Sequence, residues 1–469
     1  MSAPNGRSSP GRIASLRLRY EPQLASLRGS DTAKAAGLAL AMIANNIIAL
    51  GSTVVFARLL SDYGSLAALI SYFLILSVAG QAMQVATARE GVLGHLGVGA
   101  GLIATLKRWM KGLLVFTAVL TVVSVLLREP VAAAVGVKHD QWAAAIGIPA
   151  GCMWLGLSIL RGALQGVGDY KSVGLSLVGE QGVRLISGAA LAAAGLGVTG
   201  AYLGTPISFI AMGAYCAVQL RRYAERSAAA GEAPEGAPAQ AVFGLWTHVK
   251  RAWAPIAGLI VIAVLQNIDI IAAKHRFNGT KDLASSYAAT AVAAKVLIWV
   301  AIGAGFYLVP EVSRRRAAGE DTRPVLMVAL GIVAVCAVPV LLIFGFGATP
   351  LLRAAFGSNR LLASNSLLIL GIAFAALAAT YLAMQYMLAL KRTWFLLAMG
   401  VVAVAEPILL LQASREPKGF ATVVLAVQLV AAVVAFGLAL RRDRHTPATP
   451  PPVVSSRPEQ AAAPLETVA

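Results

Sequence analysis

Hydrophobic and polar positions along this chain come in blocks rather than in alternation. From Ala35 almost to Leu440, long apolar runs are separated by short polar breaks, with neither the period of a surface helix nor that of a half-buried strand. A bilayer core takes about 20 apolar residues per helix. Runs of that order predict spans near 35–57, 65–86, 112–127, 142–164, 172–196, 199–220, 252–273, 284–309, 324–347, 363–389, 394–412 and 420–440. The third is short, and the Gly-rich stretch from Val92 to Thr105 leaves an earlier start open. Prolines at 149, 206, 255, 339 and 407 fall within spans, where neighbouring helices and water can satisfy the freed carbonyls.

The longest internal polar break, Arg221 to Lys250, is rich in Ala, Gly, Glu and Pro around Ala228–Gln240, the composition of a flexible linker. It divides six spans from six. The expected organisation is a basic tail over 1–34, an N-lobe of helices over 35–220, a linker over 221–251, a C-lobe over 252–440 and a Pro-rich tail over 441–469. The fold class is therefore all-α: a polytopic integral membrane protein of about twelve transmembrane helices in two six-helix lobes. Two weak matches suggest that the lobes are parallel repeats. The fourth span ends Gln165 to Lys171 and the tenth Gln385 to Lys391, each a Gln six residues before a Lys. The second and eighth begin Tyr63-Gly64 and Tyr287-Ala288, and end Ala88-Arg89 and Ser313-Arg314.

Composition supports the membrane reading: mean hydropathy is +0.75, and 13% of the 469 residues are charged, about half the share of a soluble protein. The net charge of +18 does not indicate a nucleic-acid partner, because the Lys and Arg sit in short clusters between spans and no soluble domain presents them. Counted on alternate sides they divide 26 to 10, which places both termini in the cytoplasm of a bacterial inner membrane. Cys152, Cys216 and Cys336 lie inside apolar runs without metal or redox spacing, and the five histidines are scattered over loops. No phosphate-binding loop occurs, so no ATPase is expected. The first external loop, Arg58 to Gly64, lacks the pair of acids a membrane glycosyltransferase would need. No enzyme activity, catalytic residue, metal or cofactor is expected.

Charges inside the spans are costly, about 2.5–3.5 kcal/mol each at a helix centre on insertion scales. They are Arg161, Glu180, Arg184, Asp269, Lys295 and Glu406. Arg161 lies near the cytoplasmic end of its span and reads as an orienting charge that snorkels. Glu180 and Arg184, four apart, share a helix face, either as a self-neutralising pair or as a polar strip on a cavity. Asp269 and Lys295 lie on consecutive antiparallel spans at depths a few ångströms apart, a gap a lysine can close. Lys295 reads equally as half of an ion pair and as a cavity cation. Glu406, before Pro407, is an isolated acid able to take a proton or cation, or to sit protonated against a neighbour. Asn45, Asn46, Gln81 and Gln84 add hydrogen-bonding capacity, more often used to join helices.

Two stretches resemble a known family. Val55-Phe-Ala-Arg-Leu-Leu-Ser-Asp-Tyr-Gly64 is similar to the first external turn of the multidrug/oligosaccharidyl-lipid/polysaccharide exporter superfamily, in its polysaccharide flippase branch. Gln266-Asn-Ile-Asp-Ile270, Ser286-Tyr-Ala-Ala289, Ala294-Lys295 and Leu308-Val-Pro-Glu-Val-Ser-Arg314 resemble the start of that family's second half. The resemblance implies an ATP-independent flippase. Such a protein moves a polyprenyl-diphosphate-linked oligosaccharide from the inner to the outer leaflet by alternating access. Its partners would be that substrate, membrane lipids, and glycosyltransferases or a polymerase of the same pathway. Arg184 and Lys295, with Glu180 and Asp269, become the substrate-cavity candidates, since cations suit an anionic diphosphate. Two other readings stay open: a cation-coupled small-molecule exporter with Asp269 and Glu406 as coupling acids, and a transport-inactive scaffold for envelope assembly.

Overall fold

In a computed structural model of the protein, which describes residues 31–229, 253–277 and 281–441, local chemistry decides where the helices start and stop. Most of the expected N-terminal tail, linker and Pro-rich tail (residues 1–30, 230–252 and 442–469) lie outside the described residues. The first half contains α1 (Asp31–Leu59), α2 (Tyr63–Val92), α3 (Ala100–Leu126), the short α4 (Arg128–Val135), α5 (Gln141–Gly166), α6 (Tyr170–Leu191) and α7 (Gly197–Ala229). The second contains α8 (Trp253–Arg276), α9 (Lys281–Ala294), α10 (Val296–Ala317), α11 (Arg323–Phe346), the short α12 (Ala348–Phe356), α13 (Leu367–Ala389), α14 (Phe395–Gln412) and α15 (Pro417–Ala439).

Two spans open with the same motif, Asp-Tyr-x-Ser. Asp62 accepts from the Ser65 amide at 3.2 Å and Asp169 from the Ser172 amide at 3.1 Å, each also holding the serine hydroxyl. These caps satisfy amides that a helix start leaves unpaired.

Among the described residues, eleven helical stretches are long and apolar enough to cross a membrane. One of them, Tyr170–Ala229, is 60 residues long and doubles back at Gly195 and Gly197, whose φ of 98° and 51° only glycine adopts readily. α6 and α7 then pack side by side, so the crossings number twelve. Glycines permit the close approach: a Cβ at Gly188 would stand 2.7 Å from the Ala201 carbonyl oxygen, and one at Gly204 2.5 Å from that of Arg184.

Two expectations change. The third span begins at Ala100, twelve residues before the expected 112. Leu102, Thr105, Leu106, Trp109 and Leu113 are buried at helical spacing, while Lys107, Arg108 and Lys111 stand on the exposed face, so the basic cluster is one side of an amphipathic stretch within the helix instead of the end of the span. The eighth span is broken at Lys295 into α9 and α10.

The halves repeat one packing scheme. The second span packs on the fourth (α2 on α5; α10 on α13), the third on the fourth (α3 on α5; α11 on α13), the fifth on the sixth (α6 on α7; α14 on α15) and the first on the fifth (α1 on α6; α8 on α14). Each third span is followed by a short helix, α4 or α12. The Gln-to-Lys match at the fourth and tenth spans is out of register, however. The left-handed residue after each helix is Gly168 in one and Lys391 in the other, so Lys391 corresponds to Gly168 and not to Lys171.

The halves meet where α2 lies against α8 and α9. At the end opposite Asp31 and Ala439 the seam is closed by polar bonds. Arg360 is buried, and it donates to the carbonyls of Ala57, Leu60 and Ser61 at 3.3, 2.6 and 3.1 Å, the unpaired end of α1. Arg58 donates in return to Ala354 and Ala355 at the end of α12. Each half thus supplies a cation to the negative helix terminus of the other. The Gly64 amide donates to the Ser285 hydroxyl at 2.9 Å, His275 Nε2 meets the Ala134 carbonyl at 2.8 Å, and Lys274 binds Asp62 at 2.7 Å.

Candidate functional site

The intramembrane charges gather into one cluster in each half. In the first half, α5 and α6 run antiparallel from the Gly166–Tyr170 turn, which brings Arg161 beside Glu180. The Arg161 guanidinium lies 2.9 Å from one Glu180 oxygen, and Arg184, one turn along α6, donates to the other at 2.6 Å. Arg161 also donates to the Ser176 hydroxyl at 2.8 Å and carbonyl at 2.7 Å. It is fully buried, so it is no snorkelling orienting charge. Its depth on its own helix misplaced it, because that depth was not compared with the acid on the next. Aromatic faces hold both cations, Arg161 over Trp154 at 5.5 Å and Arg184 over Phe209 at 5.5 Å. Two guanidiniums against one carboxylate leave this cluster with one positive charge in excess. Arg184 alone retains access, with 19% of its side chain exposed against 0% for Arg161 and 4% for Glu180.

In the second half, Lys295 Nζ lies 3.0 Å from Asp269 Oδ1, and the Tyr287 hydroxyl donates to Oδ2 at 3.4 Å. Asp269 is fully buried and Lys295 nearly so, its ammonium 5.2 Å from the Phe374 ring. Of its two sequence readings, the ion pair is the one the geometry displays. The interruption places Lys295 between α9 and α10, with its amide bonded to the Ala291 carbonyl and its own carbonyl to the Ile298 amide, both at 3.0 Å. Glu406 is buried between α14 and α15, and its Oε1 accepts from Gln428 Nε2 at 2.9 Å. The second Gln428 amide hydrogen goes to the Leu265 carbonyl at 3.0 Å. Glu406 Oε2 and Gln428 Oε1 have no partner. Glu180 and Glu406 thus stand on corresponding fifth spans, α6 and α14.

Of the sequence candidates, the structure joins Glu180 with Arg184, and Asp269 with Lys295. Arg184 and Lys295 belong to separate clusters, each with its own acid. Sequence reading passed over Gln428 and Tyr287 as site residues and read Arg161 as orienting, although comparing its depth with that of Glu180 would have paired the two. Arg161 lies five residues before the α5–α6 turn and Glu180 ten after it, a difference of about 7 Å at about 1.5 Å per residue, within reach of an arginine. Asn45 and Asn46 bond to each other at 3.3 Å. A groove of about 530 Å³ runs along α14, lined by Leu396, Leu397, Gly400, Val401, Val404, Ala405 and Ile408, residues with no polar side chain.

At the seam, burial pushes the Asp62 carboxyl up, but the hydrogen bond and charge of Lys274 and the bonds from Ser65 outweigh it, and the group sits below its ordinary value of 3.8. Asp140 sits above that value because of burial and the charge of Asp62, against the opposing pull of Lys274, Thr199 and His139.

The sequence matches no family model and no curated protein. Solved structures match it along most of its length. An inward-facing multidrug-resistance transporter of the multidrug and toxic compound extrusion type, from the same exporter superfamily, superposes with a TM-score of 0.63 at 12% identity, over 84% of this chain and 93% of that one. The lipid II flippase MurJ in an inward closed conformation gives 0.66 at 15% identity, over 86% and 87%. A superfamily transporter from Pyrococcus furiosus, with a binding pocket of reverse polarity, gives 0.55 at 14%, over 88% and 96%.

Proposed function

We propose, from a fold shared with multidrug and lipid II transporters of this superfamily, that the chain is itself a membrane transporter. On this reading it moves a polyprenyl-diphosphate-linked oligosaccharide across the inner membrane by alternating access. The observation that carries the reading is the first-half cluster. It holds an excess cation deep in the bundle, with Arg184 as its accessible member, and a buried cation meets a diphosphate at lower desolvation cost than either ion meets apolar surroundings alone. The lobes act over 35–220 and 252–440, with both termini cytoplasmic as the 26-to-10 division of Lys and Arg requires. The cationic candidate is Arg184; Lys295 serves through its pair with Asp269. Glycosyltransferases or a polymerase supply and consume the substrate, and the chain carries out no covalent step itself.

The test places purified protein in liposomes with a labelled polyprenyl-diphosphate oligosaccharide on one leaflet. Protein-dependent movement across the bilayer is expected; no movement under any imposed gradient, from folded protein, removes the reading.

One observation favours a second reading, a cation-coupled exporter: the unpartnered Oε2 of Glu406, buried beside the unpartnered Oε1 of Gln428. Under it, Glu406→Gln abolishes gradient-driven transport of small cations; under the first reading, no such transport exists to lose.

A further inference from the structure

The third spans of the two halves, α3 and α11, hold the same place and turn different faces outward. Each packs on the fourth span of its half. The buried side runs through Thr105, Leu106, Trp109, Leu113 and Thr117 on α3, and with identical spacing through Val325, Leu326, Ala329, Val333 and Ala337 on α11. In that register Lys107, Arg108 and Lys111 correspond to Met327, Val328 and Gly331, and all six are exposed. A face that is apolar in the second half is tricationic in the first. Gly331 lies eight residues inside α11, about 12 Å at about 1.5 Å per residue, so Lys111 stands at the level of apolar surface on its counterpart. Lys107 lies four residues from Lys111 and Arg108 three, spacings at which like charges repel. Among the described residues no acid pairs with any of the three. Beyond them the same face turns apolar: Leu114, Val115 and Ala118, seven residues after Lys107, Arg108 and Lys111, are exposed in their turn.

We propose that this stripe of α3 seats an anionic phospholipid of the leaflet at the Asp31 end of the bundle. Its phosphate lies among Lys107, Arg108 and Lys111, and an acyl chain runs along Leu114, Val115 and Ala118. Cations followed by an apolar strip match the order of headgroup and tail in a lipid. A snorkelling side chain reaches water on its own, but three on one face keep their mutual repulsion until an anion lies between them. Anionic headgroups are the counter-charge that a membrane surface supplies. With apolar residues at the matching positions, α11 offers no such seat, so it belongs to the first half alone. The seat is independent of the transported substrate: it lies on the exposed side of α3, opposite the side that packs on α5, and none of its residues belongs to the buried charge clusters.

The experiment follows the thermal midpoint of full-length protein in neutral detergent during titration with phosphatidylglycerol or phosphatidylcholine of identical chains. Saturable stabilisation by phosphatidylglycerol is expected, at concentrations about tenfold or more below those that phosphatidylcholine requires. A basic residue at a membrane surface adds about fivefold to the affinity for anionic lipid, so Lys107→Gln/Arg108→Gln/Lys111→Gln should weaken phosphatidylglycerol about a hundredfold. Phosphatidylcholine should act on this variant as on the parent. Lys107→Met/Arg108→Val copies the face of α11 and should weaken phosphatidylglycerol about 25-fold. Arg89→Gln/Lys171→Gln/Lys391→Gln removes the same charge from other exposed positions and should bind as the parent does. Equal affinity of the parent for the two lipids, parent-like binding of phosphatidylglycerol in the Gln variant of α3, or an equal loss in the control variant overturns the seat. Should the Gln variant of α3 fail to fold, the Met/Val variant decides by the same criterion.

Discussion

The two halves solve the same physical problem, charge in apolar surroundings, with different inventories of acid and base. On α6, Glu180 is outnumbered by Arg161 and Arg184. In the second half the acids outnumber the base: Asp269 holds Lys295, and Glu406 on α14 faces only an amide. Helices that correspond in packing therefore carry different electrostatics. The difference in base type matters as much as the sign. A guanidinium keeps its charge at any accessible pH, whereas a lysine stripped of its acid can leave its proton behind. The first cluster is consequently rigid in charge and the second adaptable.

The largest effect should come from Glu180→Gln. It leaves Arg161 buried against Ser176 and Trp154 with no counter-charge, and removing one partner of a buried pair costs about 3–5 kcal/mol. Thermal unfolding in detergent should show a loss of that size or failure to accumulate in the membrane; a loss near zero would mean that the aromatic faces and Ser176 suffice. Asp269→Asn is the matching change in the second half and should cost less, about 1–3 kcal/mol, because Lys295 can discard its charge. Equal losses in the two variants would erase the proposed contrast.

The twelve crossings were legible because each span's apolar block is long and its ends are marked by charge. Partner choice was harder to read. Arg161 looked like an orienting residue because depth along one helix is visible in a sequence and the facing helix is not. The early start of α3 was hidden by basic residues that a block-by-block hydropathy reading treats as a break, although Leu102, Leu106, Trp109 and Leu113 keep helical spacing through them. The short α4 and α12 were missed since eight or nine residues cannot span a bilayer and so leave no block. The seam bonds of Arg360 go to backbone carbonyls, which every residue possesses and no sequence motif records. The cap motif Asp-Tyr-x-Ser stands in the sequence at two span starts, but its role shows only in the bonds that Asp62 and Asp169 accept.

Arg360→Ala separates the clusters from the seam. Losing its cross-half bonds should favour opening at the far end by about 1–2 kcal/mol, which multiplies thiol labelling at Ser285→Cys, a position fully buried in the closed seam, about 5–30-fold. Stability of the two charge clusters should not change. The smallest effect is that of pH on the same labelling. Asp62 is held below its ordinary value, so its pairing with Lys274 supports closure above pH 3.8 and is lost as pH falls through the lowered value. Asp140 is held above its ordinary value, so acidification relieves its strain first. Labelling should dip slightly on mild acidification and rise below pH 3.8; a rise throughout would count against the Lys274 pairing.

The break at Lys295 has a mechanical consequence. The second span is an unbroken rod of 30 residues, Tyr63–Val92, while its counterpart is a jointed arm. Its upper segment, α9, leans on α2 of the other half, and its lower segment, α10, on α13 of its own. The residue at that interruption carries the ammonium that grips Asp269, so any bend there would displace one partner of the ion pair.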